Sequence, residues 1–228
     1  MDILEISEVA FGVPVEIEFA VDLTRNGEGG KKAAFYFLQV RPLTINKEEL
    51  KLNFEKVRRE ELLLYTGEGM GHGIFEDLSD IVVVDPERFD KTKTDEIKKE
   101  IEYFNQKLKR ENRRYILIGL GRWGSRDPYL GIPVEWSQIS QAQVIVEACT
   151  DDFNIKPSQG THFFHNLIAM NVGYFYIPPN EKSGFIDWQW LKSQKPVERK
   201  QYTSHVRKDL PFIVKMDGKK GKALIYKN

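Results

Sequence analysis

Two segments near the start of the chain alternate between apolar and polar residues, with a glycine-rich stretch between them. Side chains in a strand point to opposite faces in turn, so this alternation predicts two strands joined as a hairpin. Glu16 and Glu18 share one face of the first strand, and Gln39 and Arg41 share one face of the second. The other face of the first strand carries Val15, Ile17, Phe19 and Val21. A carboxylate, an amide oxygen and a guanidinium can therefore converge, and such a set can hold a hard cation and a phosphate.

Further along the chain, short apolar runs alternate with segments whose apolar residues recur at helical spacing. The runs at 81–84, 115–118, 144–146 and 174–177 predict buried strands. Residues 92–110 and 158–170 have the apolar stripes of helices, and residues 137–142 predict a short helix. A last hairpin is predicted around Asp217-Gly218. Strands that alternate with helices predict an α/β domain with a mixed sheet.

Two local details sharpen this prediction. Thr94 is expected to cap the helix at 92–110, whose apolar positions are Ile97, Ile101, Phe104 and Leu108. Trp188 and Trp190 are two residues apart, so they are expected to share a strand face or a loop edge and to serve packing.

These patterns divide the chain into three parts. Residues 1–45 hold the first hairpin. Residues 46–80 are expected to form a linker, because a charge-rich stretch with some helical tendency leads into a glycine-rich turn that contains His72. Residues 81–228 are expected to form the α/β domain.

Composition narrows the class of protein. The chain has 228 residues, of which 41% are hydrophobic and 30% charged, so a folded core is expected. Lys and Arg together number 34, as do Asp and Glu, which argues against nucleic acid or a membrane surface as a partner attracted by net charge. The apolar runs are too short to cross a membrane. A single cysteine, Cys149, excludes an internal disulfide and predicts a cytoplasmic protein.

The first hairpin resembles the closing hairpin of the ATP-grasp domain in pyruvate phosphate dikinases and phosphoenolpyruvate synthases. The resemblance is carried by the segments Glu16-Ile17-Glu18-Phe19 and Leu38-Gln39-Val40-Arg41-Pro42. The family typically has aspartate where this chain has Glu16, and tryptophan where it has Phe19. The resemblance implies that Glu18 and Gln39 hold Mg²⁺ on ATP and that Arg41 contacts the phosphates. The alternative is an edge hairpin in which Glu and Arg pair across the strands, worth roughly 0.2–1 kcal/mol.

The order of elements between residues 115 and 177 is similar to that of the swivelling domain that carries a phosphohistidine in the same family. The similarity rests on Asp127-Pro128, Trp136 and Gly160-Thr161-His162 ahead of a helix. It implies that His162 is the phosphocarrier and that the domain is a divergent swivelling domain. The family's paired glycines and its threonine-x-histidine spacing are not reproduced, and the loop before His162 is longer.

The chemistry of His162 has more than one interpretation. The first turn of a helix favours an anion because its N–H groups are free and its dipole end is positive. A neutral imidazole is nucleophilic and titrates near physiological pH. The alternative is that His162 and His165 are two partly buried, hydrogen-bonded histidines. A zinc site made by these two residues and Cys149 fits no common ligand spacing.

The segment Gly119-Leu120-Gly121-Arg122-Trp123-Gly124 has the spacing of a dinucleotide fingerprint, but prolines follow at 128 and 133. The fingerprint requires a helix there, and proline breaks one. We expect a tight glycine loop in which Arg122 and Trp123 are packed. A phosphate site formed by backbone N–H groups with Arg122 or Arg126 is the alternative.

The resemblance implies a fragment of a phosphotransferase. In the family, ATP phosphorylates the swivelling histidine, which passes the phosphoryl group to pyruvate and yields phosphoenolpyruvate and AMP. The partners implied are the remaining ATP-grasp and pyruvate-binding domains of the same polypeptide, and the chain alone is expected to be inactive. The alternative is a non-catalytic module of the same ancestry that binds a ligand or regulates a partner domain; a purely structural interdomain unit is a third option.

Overall fold

The computed structural model describes residues 3–12, 15–22, 33–42, 57–150, 153–158, 171–179 and 182–227. The chain divides into two compact units, residues 1–49 and residues 50–228.

The described residues of the first unit form a helix and the predicted hairpin. Helix α1 (Ile3–Phe11) precedes strands β1 (Val15–Asp22) and β2 (Ala34–Pro42), which pair antiparallel. Val15 is buried. A shift in register between Glu18 and Phe19 marks a β-bulge, which increases the local twist of the hairpin.

The second unit is built on one large mixed sheet. Among the described residues this sheet has ten strands, with the order β11-β3-β14-β13-β5-β6-β9-β10-β4 and with β12 paired to β13. The strands are β3 (Leu62–Thr66), β4 (Glu68–Met70), β5 (Gly73–Val84), β6 (Tyr115–Leu120), β9 (Ala142–Ala148), β10 (Gly173–Ile177), β11 (Gly184–Ile186), β12 (Glu198–Arg199), β13 (Thr203–Asp217) and β14 (Lys222–Tyr226). A separate pair is formed by β7 (Arg122–Trp123) and β8 (Gly131–Ile132), and the α-helices within the described part of this unit are α2 (Thr94–Arg110) and α3 (Trp188–Ser193).

Four neighbouring strands of this sheet, β5, β6, β9 and β10, are parallel. The other pairs in the sheet are antiparallel. The coarse prediction of a mixed α/β fold is therefore confirmed. Because the four strands run in one direction, their carboxyl ends lie along one edge, which is where ligands bind in open α/β sheets.

Helix α2 covers one face of the sheet. The four apolar positions predicted from helical spacing, Ile97, Ile101, Phe104 and Leu108, are fully buried against residues such as Val82 and Leu117. The predicted cap is wrong: Thr94 is the first residue of the helix, the N-cap position is Lys93, and Asp90 caps the preceding 3-10 turn by accepting from the backbone N–H of Thr92 at 2.8 Å.

The other face of the sheet packs against α3. Trp188, Trp190 and Leu191 contact the cluster that contains Val83 and Val206. The expectation that Trp188 and Trp190 share a strand face or a loop edge is wrong, because both lie in this helix. Both nevertheless pack against the core, as expected. Asp187 caps the helix by accepting from the N–H of Trp190 at 2.9 Å.

Several segment predictions need revision. Residues 62–80, expected in a linker, form β3, β4 and most of β5, because Leu62, Leu63 and Leu64 are buried in the sheet rather than exposed. The short helix expected at 137–142 is a 3-10 turn at Trp136–Gln138. The hairpin around Asp217-Gly218 forms as predicted, between β13 and β14. The helix expected at 158–170 lies almost entirely outside the described residues.

Candidate functional site

The polar residues of the first hairpin lie on one face of it. In the antiparallel register Glu18 is directly opposite Gln39, and Glu16 is directly opposite Arg41. Opposed residues of an antiparallel pair point to the same side. Nη2 of Arg41 donates a hydrogen bond of 2.9 Å to Oε1 of Gln39. The amide oxygen keeps a second lone pair, so the face retains the carboxylate of Glu18 and one acceptor site on Gln39.

Of the histidines considered as candidates, His72 lies within the described residues. His162 and His165 lie outside the described residues. His72 is half-buried in the turn between β4 and β5. Cys149 is buried, and its Sγ donates to the carbonyl oxygen of Ile155 at 3.3 Å. In the described part of the chain, no three acidic, histidine or cysteine side chains are grouped so that they could hold a metal ion.

The glycine loop after β6 is closed by the protein's own acceptors. Gly121 and Gly124 have φ angles of +71° and +78°, which allow the tight turn. Four consecutive N–H groups are occupied: those of Gly121, Arg122, Trp123 and Gly124 donate to Ala148 O, Leu130 O, Glu147 Oε1 and Ile132 O at 2.9, 2.8, 2.9 and 2.9 Å.

The same loop bears on the alternative in which Arg122 contacts a phosphate. Nε of Arg122 donates to the carbonyl oxygen of Lys156 at 2.8 Å. A carboxylate, that of Glu147, occupies the N–H group of Trp123, where an anion would have to bind. Trp123 itself is buried, and its indole N–H donates to Val146 O at 3.0 Å. The loop is thus packed as we expected, and its backbone N–H groups at residues 121–124 are not free for a dinucleotide or a phosphate.

Glu147 lies at the edge of the sheet where the parallel strands end, and the sequence did not predict its role. It is buried near the end of β9 and accepts from Trp123 N at 2.9 Å, from Ser158 N at 3.1 Å, from the Ser158 hydroxyl, and from the Tyr174 hydroxyl at 2.6 Å. Burial raises the pKa of Glu147, and these hydrogen bonds oppose the shift without cancelling it.

The bonds of Glu147 limit what it can do chemically. A carboxylate has about four lone-pair sites, and four protein donors already fill them. Glu147 therefore ties three segments together, namely the glycine loop, residues 153–158 and β10. It supports the carboxyl edge and does not present a free acid or base there.

A second buried polar cluster also escaped sequence reasoning. Asp80 on β5 and His205 on β13 are both fully buried, and Oδ1 of Asp80 lies 2.7 Å from Nε2 of His205. Nε of Arg207 donates to Oδ1, and Nε of Arg113 donates to Oδ2, each at 2.6 Å. Arg207 also pairs with Glu111 at 2.5 Å. Asp80 is opposite Tyr115, the first residue of β6, so this cluster is near the amino ends of the parallel strands.

The charges around Asp80 outweigh its burial. Burial alone would raise the pKa of Asp80, but hydrogen bonds from His205, Arg207 and Arg113 lower it below its usual value. Nδ1 of His205 is buried and has no hydrogen-bond partner among the described residues. The carboxylate of Asp80 is an acceptor, so Nε2 of His205 is the donor in this contact.

The fold and the two clusters define a mixed α/β unit with a polar carboxyl edge, accompanied by a small helix–hairpin unit. Comparisons with protein-family models, with curated proteins and with solved structures found no match. Within the described ranges, no helix has both the length and the apolar character needed to cross a membrane.

Proposed function

We propose that the chain is part of an ATP- and Mg²⁺-dependent phosphotransferase of the pyruvate phosphate dikinase or phosphoenolpyruvate synthase type. In this proposal the first unit is the closing hairpin of an ATP-grasp domain, and the second unit belongs to the swivelling part of the enzyme. The observation that carries the proposal is the cross-strand pair of Glu18 and Gln39, with Arg41 bonded to Gln39.

The geometry of this face suits a metal-bound nucleotide. Carboxylate and amide oxygens are the ligands that Mg²⁺ takes from proteins, usually one or two of them together with substrate phosphates. A guanidinium next to the amide can bind a phosphate through charge-assisted hydrogen bonds. Glu18 and Gln39 are exposed on the hairpin, so both are accessible to a ligand.

The apolar surface of the first unit supports a place inside a larger domain. Phe19, Phe35 and Leu38 are 53%, 48% and 58% exposed, although the rings of Phe19 and Phe35 stack at 4.9 Å. An isolated hairpin is marginally stable in water, and exposed apolar patches mark surfaces that bind other protein. We propose that the remaining ATP-grasp residues of the same polypeptide pack against these exposed apolar side chains.

The test is phosphoryl transfer in the whole enzyme. A polypeptide that joins this chain to ATP-grasp and pyruvate-binding domains is incubated with Mg²⁺ and ATP labelled at the β-phosphate. We expect acid-labile label on a histidine, loss of that label in His162→Ala, and its retention in the control His72→Ala. If the label survives His162→Ala, His162 is not the carrier. If the wild type takes up no label, the proposal is wrong.

A non-catalytic module of the same ancestry is the second candidate. The closed glycine loop favours it, because all four N–H groups between Gly121 and Gly124 are bonded within the protein. This candidate predicts binding of a metabolite or a partner domain without any labelled intermediate. Detection of phosphohistidine in the same experiment would exclude it.

A further inference from the structure

Residues 153–158 lie against the edge of the sheet at which the parallel strands end, and we call them the edge strap. They belong to none of the helices and strands. Phe153 exchanges two backbone hydrogen bonds with Thr150, at 3.0 and 3.2 Å, but residues 154–158 make no backbone–backbone hydrogen bond to another described residue. Ile155 and Ser158 are nevertheless buried. The edge strap is therefore partly buried without being tied into the sheet by backbone pairing.

Side chains from the sheet and the glycine loop hold the middle of the edge strap. The hydroxyl of Tyr176 on β10 donates to the carbonyl oxygen of Ile155 at 2.7 Å, and Sγ of Cys149 donates to the same oxygen at 3.3 Å. Nε of Arg122 donates to the carbonyl oxygen of Lys156 at 2.8 Å. Each of these bonds joins one side chain to one backbone oxygen, so breaking them separates no strand from its neighbour.

The end of the edge strap is held by Glu147. Its carboxylate accepts from the N–H of Ser158 at 3.1 Å and from the hydroxyl of the same residue. Its other two donors, the N–H of Trp123 and the hydroxyl of Tyr174, do not belong to the strap. If Ser158 moves away, the carboxylate keeps these two donors, and about half of its four lone-pair sites become free for solvent or a solute. Opening of the strap therefore leaves the rest of the Glu147 cluster in place.

Segments with few contacts can open locally at a lower free energy than global unfolding requires. We propose that the edge strap opens as a unit while the sheet stays folded, and that this opening admits solutes to the polar groups beneath it, Cys149 among them. Ligands of open α/β sheets bind at the carboxyl ends of the strands, so the strap controls access to that edge. It requires neither ATP nor His162, so it stands or fails independently of the phosphotransferase proposal.

The single cysteine of the chain allows the opening to be measured directly. Cys149 is buried, and its sulfur contacts the edge strap, so the disulfide reagent dithiobis(nitrobenzoate) should react with it when the strap opens and release thionitrobenzoate. The labelling rate of the whole chain is measured at constant pH in increasing urea. Local opening exposes little surface, so this rate should rise weakly with urea, whereas global unfolding should rise steeply, because the slope scales with the surface exposed.

Two variants loosen the edge strap without altering Cys149. Ser158→Ala should speed the labelling about tenfold, because a hydrogen bond to a carboxylate is lost. Ser193→Ala, an exposed change at the end of α3, is the matched control and should label at the wild-type rate. Arg122→Gln loses the bond to the carbonyl oxygen of Lys156 and should also label faster than the wild type. It serves as the second variant if Ser158→Ala does not fold.

Hydrogen exchange provides an independent readout of the same opening. The N–H groups of Ile155 and Ser158 contact buried side chains. They should exchange faster than the N–H of Ile145 within β9, with the weak urea dependence of the Cys149 labelling. Three outcomes would each overturn the proposal: a urea dependence of labelling equal to that of global unfolding, no labelling below the unfolding transition, or variants of the strap that label no faster than Ser193→Ala.

Discussion

The hydroxyl of Tyr174 on β10 donates a hydrogen bond of 2.6 Å to Oε2 of Glu147 on β9, and both side chains are almost completely buried. The neighbouring carboxylate and the burial together raise the pKa of Tyr174, with burial the larger cause. Tyr174 therefore remains a neutral donor throughout the range in which the protein would be studied. The pair fixes two parallel strands at the edge where the glycine loop and residues 153–158 also meet.

Replacing Glu147 by glutamine should destabilise the second unit by roughly 1–3 kcal/mol. Each carboxylate oxygen of Glu147 accepts from a backbone N–H group, one from Trp123 and the other from Ser158. The amide NH₂ of glutamine must face one of these two donors in either orientation. Urea unfolding measures the loss, and Glu76→Gln, an exposed change on β5, is the control. A stability equal to that of the control would show that the hydrogen bonds of Glu147 do not stabilise the second unit.

The same variant should reveal the pKa of Glu147. The pKa is raised in the folded state, so over the interval between the unfolded and folded values the folded protein binds more protons. The free energy of unfolding of the wild type should therefore increase, relative to that of Glu147→Gln, as the pH falls through the folded pKa. At higher pH this increase should be absent. Urea unfolding of both proteins across this pH range provides the measurement. A difference that shrinks on acidification would contradict the assignment.

Replacing Asp80 by asparagine should also destabilise the second unit. The change leaves Arg113 and Arg207 without their buried carboxylate, and loss of one partner of a buried ion pair costs roughly 3–5 kcal/mol. Both arginine side chains remain about a third exposed, at 37% and 32%, so we expect a loss of about 3 kcal/mol, at the low end of that range.

Acidification should remove the contribution of Asp80. Its folded pKa is lowered, so the stabilisation is complete above the ordinary aspartate pKa of about 3.9 and disappears as the pH falls through the folded value. The stability difference between wild type and Asp80→Asn should shrink there, whereas the exposed control Asp77→Asn should differ little from wild type at any pH. A difference between wild type and Asp80→Asn that is independent of pH would show that Asp80 is not ionised in the folded protein.

Gly119→Ala tests the packing of the glycine loop. A Cβ atom at Gly119 would lie 2.2 Å from Cζ2 of Trp123, and Trp123 cannot move away because its ring is buried and its N–H is bonded to Val146. Overpacking of this kind costs roughly 1–3 kcal/mol. Gly67→Ala, whose nearest new contact is 3.4 Å, is the control. Thermal unfolding compares the two, and near-ultraviolet dichroism reports the setting of Trp123; equal midpoints would contradict the packing argument.

Glu18→Gln tests the proposed magnesium ligand in the whole enzyme. A neutral amide binds Mg²⁺ more weakly than a carboxylate, so histidine labelling at low Mg²⁺ should fall by about tenfold, equivalent to about 1.4 kcal/mol, and should recover at high Mg²⁺. Glu8→Gln, an exposed change on α1, should label normally. A loss that Mg²⁺ does not relieve would assign Glu18 a structural role instead.

Local pattern predicted much of the second unit. The spacing of Ile97, Ile101, Phe104 and Leu108 identified α2 because one buried stripe at period 3.6 is a property of a short stretch of sequence. The apolar runs that became β5, β6, β9 and β10 were recognisable for the same reason. The leucine run at 62–64 was missed because charged stretches and glycines around it indicated a linker, and only pairing with β14 and β11 gives it a place in the core.

The sequence by itself determined the α/β class, the first hairpin and the face on which Glu18, Gln39 and Arg41 lie, because strand and helix periods are set by residues close together in the chain. Tertiary structure decided which buried polar groups meet. Asp80 and His205 are 125 positions apart, and Glu147 and Tyr174 are 27 apart, so no local period relates them. A buried charge must find its partners wherever the fold brings them, and for that reason the two clusters form only when the strands lie side by side.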